Sequence, residues 1–121
     1  MPKIRAMKIE DVETVARMDA LDHNLDPEKG YLEAKAHTLD HLKIVAEHCY
    51  VVEDEEGNVI GAMILHPRKE IFEIEDFHVK DIKKNREALN LLMKKLTGYL
   101  EKVETEILCC PYAFKRIIGK L

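Results

Sequence analysis

IFEIEDFHVKDIKKNREALNLLMKKLTGYLEKV, residues 71–103, holds a strand, a basic turn and an amphipathic helix in succession. Ile71 to Val79 is rich in β-branched and aromatic residues, which predicts a strand. Its apolar alternation changes phase: Phe72 and Ile74 are even-numbered, Phe77 and Val79 odd. One extra residue near Glu75 and Asp76 accounts for the change, and adding one residue to a strand is what a β-bulge does. Asn85 to Lys102 has the cleanest helical periodicity in the chain. Ala88, Leu89, Leu92, Met93, Leu96, Tyr99, Leu100 and Val103 fall on one side, with Glu, Lys and Asn opposite.

Upstream of this stretch, Ile4 to Met7 reads as a short first strand. Glu10 to Ala20 reads as a helix, with Ile9, Val12, Val15 and Ala16 clustered at helical spacing. Asp22 to Pro27 is a break, since Pro27 biases the residue before it away from helix. A second helix is predicted over Lys29 to Glu47 with Leu32, Ala36, Leu39, Leu42 and Ala46 as its apolar stripe. Cys49 to Glu53 and Val59 to Leu65 are β-rich runs joined by Asp54-Glu55-Glu56-Gly57-Asn58, a hairpin signal. His66 to Lys69 makes the next turn. Downstream, Glu106 to Cys109 predicts a last strand, and Pro111 opens a short helix, Tyr112 to Ile118. No internal repeat, linker or low-complexity tract interrupts the chain.

The resulting order, β-α-α-β-β-β-α-β-α with a bulged fourth strand, resembles that of the GNAT acetyltransferases, which transfer an acetyl group from acetyl-CoA to an amine. The resemblance covers nearly the whole chain. It is carried by Ile4-Arg5-Ala6-Met7 with Glu10-Asp11, by Tyr50-Val51-Val52-Glu53 with Val59-Ile60-Gly61-Ala62, and by Phe114 to Gly119. It implies a single α/β (α+β) domain over residues 1–121, with a mixed sheet of about five strands flanked by about four helices. The family's further C-terminal strands are missing. The last strand then keeps an open edge, and exposed edges invite pairing. A homodimer through that side of the sheet is the expectation.

In the family, a strand ending in Val leads into Arg/Gln-x-x-Gly-x-Gly/Ala at a helix N-terminus, and that turn wraps the pyrophosphate of acetyl-CoA. Helix N-terminal N–H groups bind anions, and glycine lets the phosphate approach closely. Carried over, the cofactor-binding positions are Phe77, His78 and Val79 on the strand, then Lys84, Asn85, Arg86, Glu87, Ala88 and Leu89. Both glycines are gone. Glu87 places a carboxylate on the first helical turn, where it favours the helix dipole, takes up free N–H groups and repels a dianionic ligand. Leu89 lies in the middle of the apolar stripe. Lys80, Lys83, Lys84 and Arg86 are cations that pull the other way. The expectation is a GNAT-like binding or interaction module with a compromised acetyl-CoA site. The alternative is a working acyl-CoA-dependent N-acetyltransferase acting on an unidentified amine.

That chemistry needs a base to deprotonate the amine and an acid to protonate the leaving thiolate. Glu73 and Glu75 project to one face if the strand stays regular up to the bulge, with Asp76 on the other face. Glu75, nearest the bulge, is the candidate base. The family's Tyr position falls on Lys115, and Tyr112, one helical turn earlier, is the candidate acid only if the register shifts. At helical phase, His37, His41 and His48 stack on the side of the second helix opposite its apolar stripe. His37-x-x-x-His41 has the spacing of paired metal ligands. With no third ligand fixed in register, these are read as solvated surface histidines, and no metal site is expected.

Composition sets the outer bounds. The 121 residues, 46% apolar and 35% charged, suffice for one core. A net charge of −4 gives no general attraction to nucleic acid. Ser is absent, so serine-nucleophile chemistry is excluded for this chain, and Gln is absent too. Few amides with abundant Lys and Glu fit a thermophilic host. Three cysteines, two of them adjacent, do not form a secreted disulfide framework. With no signal-peptide pattern after Met1 and no apolar run of membrane length, a cytoplasmic protein is expected.

Overall fold

The structure, a computed structural model, describes residues 1–23, 28–68, 71–103 and 106–109, with side chains described up to Tyr99 other than that of Ile71. In chain order come β1 (Lys3–Ala6), a 3-10 turn (Ile9–Asp11), α1 (Val12–Asp22), α2 (Lys29–Ile44), a second 3-10 turn (Ala46–His48), β2 (Cys49–Glu53), β3 (Val59–Pro67), β4 (Ile71–Val79), α3 (Arg86–Val103) and β5 (Glu106–Cys109). The five strands form one sheet in sequence order. β1 to β4 are antiparallel neighbours, and β5 runs parallel to β4 over Ile71–Ile74. A mixed five-stranded sheet with a bulged fourth strand was the expectation, and it is what forms. The expected fourth helix, Tyr112 to Ile118, lies outside the described residues. No described helix is long and apolar enough to cross a membrane.

Strand alternation sorts side chains to the two faces of the sheet. Val52, Met63, Leu65, Ile74, Phe77 and Val79 pack against Ala88, Leu89, Leu92 and Leu96 of α3. Val51, Ala62 and Ile64 face the other way and pack with Met7, Val15 and Met18. Up to Tyr99 the α3 stripe is thus the one read from its periodicity, each buried leucine stabilising by about 1.5–3 kcal/mol; Leu100 and Val103 lie outside the described side chains. Gly61 lets α3 lie close to the sheet. A Cβ there would stand 3.3 Å from Leu92 Cδ1 and 3.4 Å from the His78 carbonyl oxygen. The β2–β3 hairpin is held by Asp54, whose Oδ1 accepts from the Glu56 and Asn58 N–H groups at 2.9 Å each, while Gly57 takes a φ of +85°.

Two expectations change. The predicted stripe of α2 is buried only in part: Leu39 and Leu42 are half-buried, Leu42 against the core, but Leu32 is 63% exposed and Ala36 and Ala46 are exposed, while Gly30, Ala34 and Thr38 are buried. The reason is close helix–helix contact. Ala34 packs on Ala16 and Ala20 of α1, so small residues rather than leucines define the inner face. The histidine side, expected in solvent, therefore rotates toward β4.

The second change concerns β4. The register with β3 shifts between Ile64 and Leu65, which pair with Asp76 and Ile74 and leave Glu75 as the extra residue. The bulge sits where the phase change placed it. Its effect on direction differs from the expectation, because Glu75 and Asp76 both point to the α2 side instead of to opposite faces. Glu75 Oε1 lies 3.8 Å from His41 Nε2, and Asp76 Oδ2 lies 3.0 Å from His37 Nε2.

Candidate functional site

Two regions hold the residues singled out above: a polar network between α1, α2 and the β4 bulge, and the N-terminus of α3.

In the first, Asp76 and His78 of β4 are each only 1% exposed, and α1 brings Asp19 and Asp22 against them. The His78 imidazole donates from Nδ1 to Asp22 Oδ2 at 2.6 Å and from Nε2 to Asp76 Oδ1 at 3.0 Å. Asp19 Oδ1 is buried, 3.5 Å from His78 Nε2 and 2.9 Å from His23 Nδ1, a ring nitrogen that also meets the Asp19 carbonyl oxygen. Asp76 also meets His37 through its second oxygen. Burial alone favours neutral groups, yet these charges stabilise one another. Burial opposes the charged form of His78, but the bonds to Asp22 and Asp76 outweigh it and push its pKa up to about 10. Asp76 is held well below the usual carboxylate range: burial would raise it, and its bonds to His37 and His78 reverse that. Burial, and then the negative charge of Asp76, push Asp19 up. The Asp76 hydrogen bond raises His37.

The sign for His78 follows from linkage. A folded pKa above the ordinary value of 6.5 contributes stability that is fully present below pH 6.5 and is lost as pH rises through about 10. Asp19 and Asp22 from α1 and Asp76 from β4 are the charged groups facing it, and His37 from α2 bonds the other oxygen of Asp76. Urea unfolding in EDTA should therefore show stability falling between pH 7 and 10, with a slope of at most about 1.4 kcal/mol per pH unit from this one proton. His78→Gln should flatten that limb. An unchanged slope in the variant would assign the titration elsewhere.

Solventward of this network, Glu75 shares Arg68 with Glu73: Arg68 Nε is 3.1 Å from Glu73 and Nη2 3.4 Å from Glu75. The His37 and His41 rings lie 4.3 Å apart, centroid to centroid, and His66 stands edge-on to His41 at 5.5 Å. His48 is separate, with Nδ1 2.7 Å from the Tyr99 hydroxyl.

At the second region, Asp81 adopts a φ of +44° and its carbonyl accepts from the Lys84 and Asn85 N–H groups at 3.0 and 2.9 Å. The Asn85 carbonyl takes the first helical bonds, from Ala88 and Leu89. α3 thus begins at Arg86, within one residue of expectation. Its first turn opens on a cleft of about 470 Å³ whose ionisable lining is Asp54, Glu55, Glu56 and Glu87 against Lys84 and Arg86. The hairpin's acids were not foreseen here, because nothing local in the sequence ties residues 54–56 to 84–88. Glu87 is exposed and hydrogen-bonds none of the described helix N–H groups, contrary to expectation, so its effect is a through-space charge. Leu89 is 2% exposed and belongs to the core.

Of the residues proposed from sequence, Glu75 lies at the bulge, and Phe77 and Val79 turn their side chains under α3. His78 turns to the opposite face. Lys84, Asn85, Arg86, Glu87 and Ala88 line the α3 cleft. Tyr112 and Lys115 lie outside the described residues. Asp19 and Asp22 were missed. The available signal was Asp19 in helical phase with Val12, Val15 and Ala16, an acid on a face that had to be buried.

No protein-family model matches the chain, and no curated protein matches it by sequence. Solved structures do. The chain is similar to a ribosomal-protein-alanine N-acetyltransferase from Brucella melitensis biovar Abortus 2308, at TM-score 0.65 and 13% identity over 93% of this chain and 82% of that one. It is similar to a glucosamine-6-phosphate N-acetyltransferase from Arabidopsis thaliana, at TM-score 0.61 and 15% identity over 99% and 89%. A predicted acetyltransferase from Clostridium acetobutylicum, solved with acetyl-CoA, matches at TM-score 0.66 and 11% identity over 99% and 87%. With a bulged β4 running into α3 and these structural likenesses over most of its length, the chain has the GNAT acetyltransferase fold.

Proposed function

We propose that this chain is a GNAT-fold binding module whose acetyl-CoA site is compromised. One observation carries the reading: the first two turns of α3 present Glu87 to the cleft and commit Leu89 to the core, where a phosphate-binding turn needs glycine. A pyrophosphate seated there would meet four carboxylates and only two cations. Removing Leu89 would not by itself open a phosphate seat, because its side chain fills space between α3 and the sheet.

The β4 bulge at Glu75 and the cations of the β4–α3 turn favour the second reading, an acyl-CoA-dependent N-acetyltransferase. There, Glu75 would be the base toward an amine. Arg68 and His41 already flank its carboxylate, which limits its access to an acceptor.

Thermal melting with and without acetyl-CoA separates the two. A ligand at a hundred times its dissociation constant adds about 2.7 kcal/mol. The wild-type protein should show no shift at millimolar acetyl-CoA, and Glu87→Gly should gain one. A clear wild-type shift would overturn the first reading. A shift in neither protein leaves the enzyme reading without its cofactor.

A further inference from the structure

We propose that His37, His41 and Glu75 form a binding site for a divalent transition metal, with zinc as the best match. One donor atom from each of the three lies within 4.8 Å of the others. Two imidazoles and a carboxylate are a donor set that zinc uses with a further position left open. Bond lengths near 2.0–2.2 Å require donors roughly 3–3.5 Å apart, so small side-chain rotations close the site.

The orienting partners are in place. His41 Nδ1 lies 2.9 Å from the His37 carbonyl oxygen, so Nδ1–H donates there and the Nε2 lone pair is left on the Glu75 side. Asp76 Oδ2 accepts from His37 Nε2, which leaves the lone pair of that ring on Nδ1. A ligating histidine usually donates its other N–H to a carbonyl or carboxylate in this manner. His66, its Nδ1 3.0 Å from the Pro67 carbonyl oxygen, stands beside His41 as a further imidazole.

A second observation is the setting of α2. Its contact with α1 through Ala34 turns these imidazoles toward β4, while Leu32 and Ile44 stay 63% and 66% exposed. The bulge works in the same direction, because it puts both Glu75 and its neighbour Asp76 on the α2 face. Solvent reaches the three in part: the side chains of His37, His41 and Glu75 are 33%, 12% and 17% exposed, enough for a small ion to enter. Arg68 is the competitor for Glu75, but it is half exposed and closer to Glu73, which can retain it.

A neighbouring trio, Asp19, Asp76 and His78, also lies within 4.8 Å. It is the poorer site, because both nitrogens of His78 already donate to carboxylates and no lone pair remains.

The 121-residue chain dialysed against EDTA should bind one Zn²⁺ per chain at micromolar affinity or better, measured by competition with a chromophoric chelator. Co²⁺ should give the intense d–d absorption of a low-coordinate site. His41→Ala and Glu75→Gln should each weaken zinc beyond the about 10–100-fold that loss of an outer-shell partner causes. His48→Asn should leave affinity unchanged, and circular dichroism in EDTA should show each variant folded. Absence of stoichiometric zinc in the wild type would overturn the proposal. Wild-type affinity in a folded His37→Ala/His41→Ala variant would do so too, by placing the metal elsewhere.

Discussion

An Asp76→Ala variant should lose about 3–5 kcal/mol of stability, the usual result of breaking a buried ion pair from one side. Asp76 is 1% exposed and accepts from both His37 and His78. Removing it leaves His78 buried beside Asp22 alone at hydrogen-bond distance, with Asp19 at 3.5 Å. Natural domains hold about 5–15 kcal/mol in total, so the variant should unfold at a much lower urea concentration. Urea titration in EDTA at pH 7 measures the loss free of any metal contribution. The double variant Asp76→Ala/His78→Leu should recover part of it, because a buried charge network replaced as a unit by apolar groups is often neutral. A loss under about 1 kcal/mol for Asp76→Ala would mean that water screens the network in solution.

Phe77→Ala should be as damaging, at about 3–5 kcal/mol. Phe77 is fully buried in the cluster joining β3, β4 and α3. Its loss leaves a cavity that the close contact between Gly61 and Leu92 keeps the helix from filling. Phe72, on the same face but only partly buried, should cost distinctly less when cut to Ala. Equal losses at 72 and 77, read from urea midpoints at unchanged m-value, would contradict the asymmetry of this core.

The legible parts of the molecule are those where one strong pattern faces one partner. α3 has a single apolar stripe and a single sheet face to cover, so its periodicity identified Ala88, Leu89, Leu92 and Leu96 directly. The bulge was visible because Phe72, Ile74, Phe77 and Val79 share one cluster only if the strand gains a residue between them. α2 was misread because it has two neighbours, α1 and β4. Its contact with α1 depends on Gly30, Ala34 and Thr38, residues that hydrophobicity counts barely register. The site suffered from the same rotation. The position of Glu75 on the bulge was legible, but the histidines were placed in solvent with the wrong face of α2. Asp19 and Asp22 come from a helix remote in sequence, and only the packing of α1 on β4 brings them to His78.

The extra residue in β4 also makes the chain unequally tolerant of length changes. Inserting one more residue beside Glu75 would slide everything after it by one pleat, sending Phe77 into the polar network and His78 beneath the oily helix. The same insertion in the loop of residues 54–58 would be absorbed locally, since that turn is exposed and held mainly by Asp54. Drift in loop length can therefore accumulate at the hairpin, whereas the bulged strand must keep its count.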